Sequence, residues 1–212
     1  MKSRGHAKHI SRVCLLVFWL AASAGMASTQ TIVGSPHDFS GAGWSGGEIC
    51  LPCHTPHNAD NTVPDAPLWN HAVTSATFTV YNSPTMDVTP VQPQGNSKLC
   101  LSCHDGTVAL DSFGGSTGTD FIDAAGDLTT DLSDDHPVSV FWNHQTGGAG
   151  SGPYCNNCHA SHNPGQQLSV LPFFDHYVEC STCHNVHNGT GNAYLLRLPL
   201  TGSTLCLYCH RK

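Results

Sequence analysis

Cys50-Leu51-Pro52-Cys53-His54 decides how this 212-residue chain is read, because its pattern returns four more times. The copies are Cys100-Leu101-Ser102-Cys103-His104, Cys155-Asn156-Asn157-Cys158-His159, Cys180-Ser181-Thr182-Cys183-His184 and Cys206-Leu207-Tyr208-Cys209-His210. Ten of the 11 cysteines lie in these pentapeptides, and the other, Cys14, lies in an apolar run near the start. Cys-x-x-Cys-His is the attachment signal of c-type haem: two thiols add across the porphyrin vinyl groups, and the histidine comes to lie beneath the iron. Zinc is the competing use of paired Cys-x-x-Cys, but it does not ask for a histidine after every pair. The expectation is five haem c groups. They are attached through Cys50, Cys53, Cys100, Cys103, Cys155, Cys158, Cys180, Cys183, Cys206 and Cys209, with His54, His104, His159, His184 and His210 as proximal iron ligands.

Residues 1–27 read as a secretory signal peptide. Lys2, Arg4, Lys8 and Arg12 precede the apolar run Val13 to Ala22, and small residues then offer cleavage after Ala24 or Ala27. That run is too short to span a bilayer and no later stretch reaches 18 apolar residues, so no membrane span is expected. An exported protein, periplasmic or extracellular, also agrees with haem attachment outside the cytoplasm. Once the leader is removed, Lys98, Arg197, Arg211 and Lys212 face all 15 Asp and Glu, a formal balance of −11. Such a field argues against nucleic-acid partners, and it disfavours added electrons, which lowers haem potentials.

The motifs are unevenly spaced, by 50 and 55 residues and then by 25 and 26. We therefore expect a two-haem module over 28–146, a glycine-rich linker at 147–152 and a three-haem module over 153–212. The second module is too short for a conventional core, so its apolar interior has to be porphyrin. The fold expected is mostly irregular coil with short helices and little sheet, a haem-cored multihaem cytochrome c. The β-prone runs Thr77 to Tyr81 and Pro137 to Phe141 suggest a minor hairpin or isolated strands. Trp44, Trp69, Trp142, Phe173 and Phe174 are expected to pack on porphyrin faces. Asp120, Asp123, Asp127, Asp131, Asp134 and Asp135 lack the ordered spacing of a calcium loop and read as a solvated acidic stretch.

Each iron needs a second ligand or an open site. Cleavage after Ala27 leaves Met86 as the sole methionine, while eight histidines lie outside both the leader and the motifs. Bis-histidine ligation follows. Three motifs extend to CxxCHxxH, adding His57, His162 and His187. Three residues span at most about 10 Å, too little to carry the second histidine around its own porphyrin, so it reaches for a neighbouring haem. His57, His71, His136, His162 and His187 are the distal candidates, with His37 as a further one; the roles of His144 and His176 stay open. An extended motif followed by a leucine-led one occurs at 50–104 and again at 180–210, the mark of an internal repeat.

Several blocks together carry a family resemblance: Cys50–His57 with Ala59, Pro67-Leu68-Trp69-Asn70-His71, Ser97 to Val108, Asp135-His136-Pro137-Val138, Cys180–His187 with Leu195-Leu196-Arg197, and Leu205–His210. The chain resembles the doubled-CxxCH multihaem c-type cytochromes, including exported and filament-forming members from metal-respiring bacteria. The resemblance implies closely stacked bis-histidine haems and electron transport.

The function expected is an exported pentahaem electron carrier, not an enzyme, serving redox-partner proteins or extracellular electron acceptors in respiration. The alternative is a subunit of a conductive extracellular filament, self-assembled by completing one haem from the next copy, with His37 as the candidate for that role. A multihaem reductase ranks third, because catalysis needs an open iron position. Pentahaem nitrite reductases are longer and carry a lysine-variant motif that this chain lacks.

Overall fold

The computed structural model describes residues 32–86, 88–141, 171–175 and 177–210. The leader 1–27, the linker 147–152, the third motif (Cys155, Cys158, His159, with His162) and His144 and His176 lie outside the described residues.

Among the described residues, α-helix is confined to the attachment motifs and the residues leading into them, with short 3-10 turns elsewhere. Helix α1 spans Gly95–His104, α2 spans Cys180–Cys183 and α3 spans Thr204–Cys209. The first motif closes one helical turn without extending it. In each of these turns the histidine amide returns to the carbonyl of the first cysteine: His54 to Cys50 at 2.8 Å, His184 to Cys180 at 3.0 Å and His210 to Cys206 at 2.8 Å. At 3.6 residues per turn, cysteines three apart share a face, so one turn is all the attachment chemistry needs.

Helix α1 is longer because both its ends are secured. Its last turn stops at Gly106, which adopts φ +69° and donates to the Cys103 carbonyl at 3.3 Å. A Cβ there would also meet the Asp127 carboxylate at 2.7 Å, so only glycine suits the position. Asp105 is buried and accepts from the Thr74 hydroxyl at 2.6 Å and the Thr107 amide at 2.8 Å, which fixes the chain just past His104.

Among the described residues, sheet amounts to four two-residue strands: β1 Thr79–Val80, β2 Asp131–Leu132, β3 Val140–Phe141 and β4 Tyr177–Val178. Both β-prone runs supply a strand, but neither forms a local hairpin. β1 pairs in parallel with β2, Thr79 opposite Asp131, and β3 pairs antiparallel with β4, Val140 opposite Val178. The side-chain amide of Gln92 stands in for a further strand: it accepts the Phe78 amide at 2.8 Å and donates to the Phe78 carbonyl at 2.9 Å.

The polypeptide core is small. Phe78, Leu101 and Leu132 form it, with Ala76 and Val80 packed against them. Much of the remaining buried surface is polar, including Ser97, Ser102, Ser139 and Glu179. The β3–β4 ladder and the packing of α1 against α2 join the segment around the second motif to the segment around the fourth.

Candidate haem sites

The sites are built from backbone outward. The carbonyl opposite the His54 ring, Pro67 O, lies 2.6 Å from its Nδ1. His104 Nδ1 meets Gly126 O at 2.7 Å, and His184 Nδ1 meets Tyr194 O at 2.8 Å. A carbonyl can only accept, so Nδ1 holds the proton and Nε2 keeps a bare lone pair. Holding the second ring nitrogen in this way orients an imidazole for a metal.

A second imidazole faces each of the motif histidines His104, His54 and His210. The ring centres of His37 and His104 are 6.0 Å apart, those of His54 and His187 are 6.2 Å apart, and those of His136 and His210 are 6.2 Å apart. An imidazole nitrogen bonds a first-row metal at about 2.0 Å and its ring centre lies about 1.1 Å beyond, so rings on opposite sides of one ion are centred about 6 Å apart. The angles between the ring planes, 52°, 20° and 74°, are unconstrained, because both planes contain the ligand axis. Spacing alone is permissive: aromatic pairs in general sit about 4.5–7 Å apart, and Trp69 is 6.5 Å from His54. The chemical selection is the stronger sign. Three of the four described motif histidines face an imidazole, and each of these partners lies in another part of the chain.

The charge states suit ligation. Burial, then the neighbouring His104, His184 and His187, lower His37 to about 4. It is therefore neutral at neutral pH, the form that can bind a metal. Its Nδ1 is buried without a hydrogen-bond partner. Burial also lowers His136, whose Nδ1 lies 3.2 Å from Pro137 O, leaving Nε2 for the side of His210.

Two other candidates are placed differently. His71 is buried, with Nδ1 2.8 Å from Ala72 O and Nε2 3.0 Å from Ala109 O, and its Nε2 is 3.6 Å from Cys103 Sγ. It lies beside the second motif's thiol and stacks against no described motif histidine. His57 is exposed, and among the described residues no ring faces it. His37, read from sequence as the residue for an adjacent copy, is instead set against His104 of its own chain.

Burial pushes the Cys53 thiol up to about 11, Cys103 to about 12 and Cys209 to about 11, so these sulfurs are held as thiols. Among the described residues no group of three or more His, Cys, Asp or Glu side chains is arranged to hold a bare metal ion. Attachment through a pair of cysteines with one histidine beneath the iron fits the donor set. The acidic stretch staples its own turns: Asp111 accepts the Thr119 and Asp120 amides, Asp123 the Ala125 amide and Asp127 the Thr129 amide, while Asp120 accepts the Trp44 indole N–H at 2.6 Å.

Sequence reading passed over the residues that align these parts. Pro67, Gly126 and Tyr194 act through backbone carbonyls, which leave no mark on residue type. Glu179, Ser97 and Ser139 form a buried polar cluster across more than 80 residues of chain; only paired substitutions among relatives reveal such a contact.

No helix of the described residues is long and apolar enough to cross a membrane. No curated protein matches the chain. Residues 175–212, which hold the fourth and fifth motifs, match the family model for the doubled CXXCH motif. That match supports a multihaem c-type cytochrome family, with haem c bound covalently and electron transfer as the activity the family suggests.

Proposed function

We propose that the chain is an exported pentahaem c-type cytochrome, not an enzyme, that passes electrons to redox-partner proteins or extracellular acceptors. The observation carrying this reading is the set of three facing pairs, His37 with His104, His54 with His187 and His136 with His210. Bound haem supplies a one-electron iron couple, tuned by its axial ligands and surroundings. The protein's residues supply the rest. Pro67, Gly126 and Tyr194 carbonyls fix the proximal rings, the facing histidines close the opposite positions, and the cysteine pairs fix each attachment plane. Two imidazoles on one iron leave no position for substrate, which favours a carrier over a reductase.

Mass spectrometry and low-temperature paramagnetic resonance of the purified protein test this. Five attached haems with low-spin ferric signals are expected. Fewer attached haems, or a dominant high-spin signal in the resting protein, contradict it.

A second reading, a filament subunit, draws on His57. His57 and His187 occupy the same place in their motifs, yet His187 faces another motif's histidine while His57 is exposed. In this reading His57 completes a site on the next copy. Electron micrographs of the native protein and of His57→Ala decide it: filaments lost in the variant support it, and a strictly monomeric native protein removes it.

A further inference from the structure

Glu179 lies outside every attachment motif yet bonds to two of the attachment helices. It is 2 % exposed. Its Oε2 accepts the Ser97 amide at 3.0 Å, and the Ser139 hydroxyl donates to Oε1 at 3.5 Å. Ser97 is the third residue of α1, and Gln94, the cap residue, makes no side-chain cap bond. A carboxylate in that place satisfies an orphan amide and faces the positive end of the helix. The same residue caps α2, its own amide donating to Thr182 Oγ1 at 3.0 Å. The Cys180 amide then donates back to Ser97 Oγ at 3.0 Å. Two helix starts are thus tied by reciprocal bonds.

The tie has a consequence for the sulfurs. The Cys100 and Cys180 thiols are coupled: the contact with Cys180, then burial, holds Cys100 well above the usual thiol range, while the contact with Cys100 lowers Cys180 against the opposing effect of burial. The fourth motif has another neighbour as well. On its other side, His187 faces His54. The fourth motif therefore meets both the first and the second.

We propose that Glu179 is the positioning residue holding the second and fourth sites at the spacing that electron exchange between their haems requires. This rests on the reading of the motifs as haem sites. The order of exchange then does not follow the order of the chain.

The test uses the full, haem-loaded protein. Peptide mass spectrometry first locates haem on Cys100 with Cys103 and on Cys180 with Cys183; haem missing from either pair overturns the haem reading itself, whatever Glu179 does. With the haems in place, exchange between the two sites is read from line broadening of haem methyl resonances in partly reduced samples. In Glu179→Ala it falls about tenfold, the scale of loss expected from a misplacement of an ångström or less. Glu179→Gln still offers an oxygen to the Ser97 amide and stays within about twofold of the parent protein. Ser97→Ala removes the acceptor for Cys180 and the hydroxyl's own bond to the Glu179 carboxylate but keeps the Ser97 amide bond; it gives a smaller fall, which keeps the test open should Glu179→Ala fail to fold. Unchanged exchange in Glu179→Ala, or in Ser97→Ala where that variant stands in, overturns the proposal. So does a glutamine variant as slow as the alanine one.

Discussion

The stretches 50–71 and 180–197 are two copies of one device. In each, the motif histidine turns its Nδ1 to a carbonyl on a returning segment, Pro67 in one and Tyr194 in the other. The next residue donates to the next carbonyl, Thr55 to Leu68 and Asn185 to Leu195, both at bonds of 2.7–2.9 Å. The amide two residues further on closes the loop on the second cysteine: Asn70 to Cys53 at 3.0 Å and Arg197 to Cys183 at 2.8 Å. Even the strained positions agree, with Leu68 at φ 52° and Leu195 at φ 57°, and Asn58 and Asn188 at φ 56° and 54°. The copies differ in surroundings. Cys50 is exposed, whereas Cys180 is tied through Ser97 and Glu179 to α1. His187 faces the other copy's His54, and His57 faces solvent. The repeat thus fixes how the motif histidine is oriented, and the rest of the fold decides which neighbouring imidazole faces it.

The comparison breaks most visibly if both cysteines of one copy are removed. Cys50→Ser with Cys53→Ser, and Cys180→Ser with Cys183→Ser, are each expected to lose one haem by mass. The second pair also leaves the interior where α1 and α2 meet without its haem, so it should become far more sensitive to protease than the first; equal sensitivity would mean that the tie to α1 contributes nothing. Next in size is the tie itself. Glu179→Ala strands the Ser97 amide in a buried place and should cost about 1–3 kcal/mol of stability, measured by denaturant unfolding of the loaded protein, whereas removing the exposed Glu48 beside Cys50 should cost under about 0.5 kcal/mol. The smallest effect sharpens the likeness. Leucine in the left-handed region is strained by about 1 kcal/mol, so Leu68→Gly and Leu195→Gly should each be neutral to stabilising by up to that amount. A marked loss in one copy alone would show that its leucine side chain, not only its backbone, is needed.

Much of the site was legible in the sequence because covalent attachment demands a fixed spacing of residue types. The CxxCH turns and the scarcity of sheet follow from that spacing and from the scattered apolar residues. The three-residue reach of CxxCHxxH directed His57, His162 and His187 alike at neighbouring motifs; His187 faces His54, no ring among the described residues faces His57, and His162 lies outside them. The pairing of β1 with β2 and of β3 with β4 was not legible, since two-residue strands carry too little periodicity to announce a partner. Nor was the burial of His71 between Ala72 and Ala109 carbonyls, because a histidine's type does not say whether its nitrogens meet a metal or the backbone. The same holds for Glu179: a lone acidic residue ahead of a motif carries no sign of an amide 82 residues away.

The pairing of His187 with His54 across the two copies is tested most directly by low-temperature paramagnetic resonance of the ferric His187→Ala protein. With all haems still attached by mass, one low-spin signal should be lost and a high-spin signal from one iron should take its place, while His57→Ala in the monomer leaves the spectrum unchanged. An unaltered low-spin spectrum in His187→Ala would contradict the pairing.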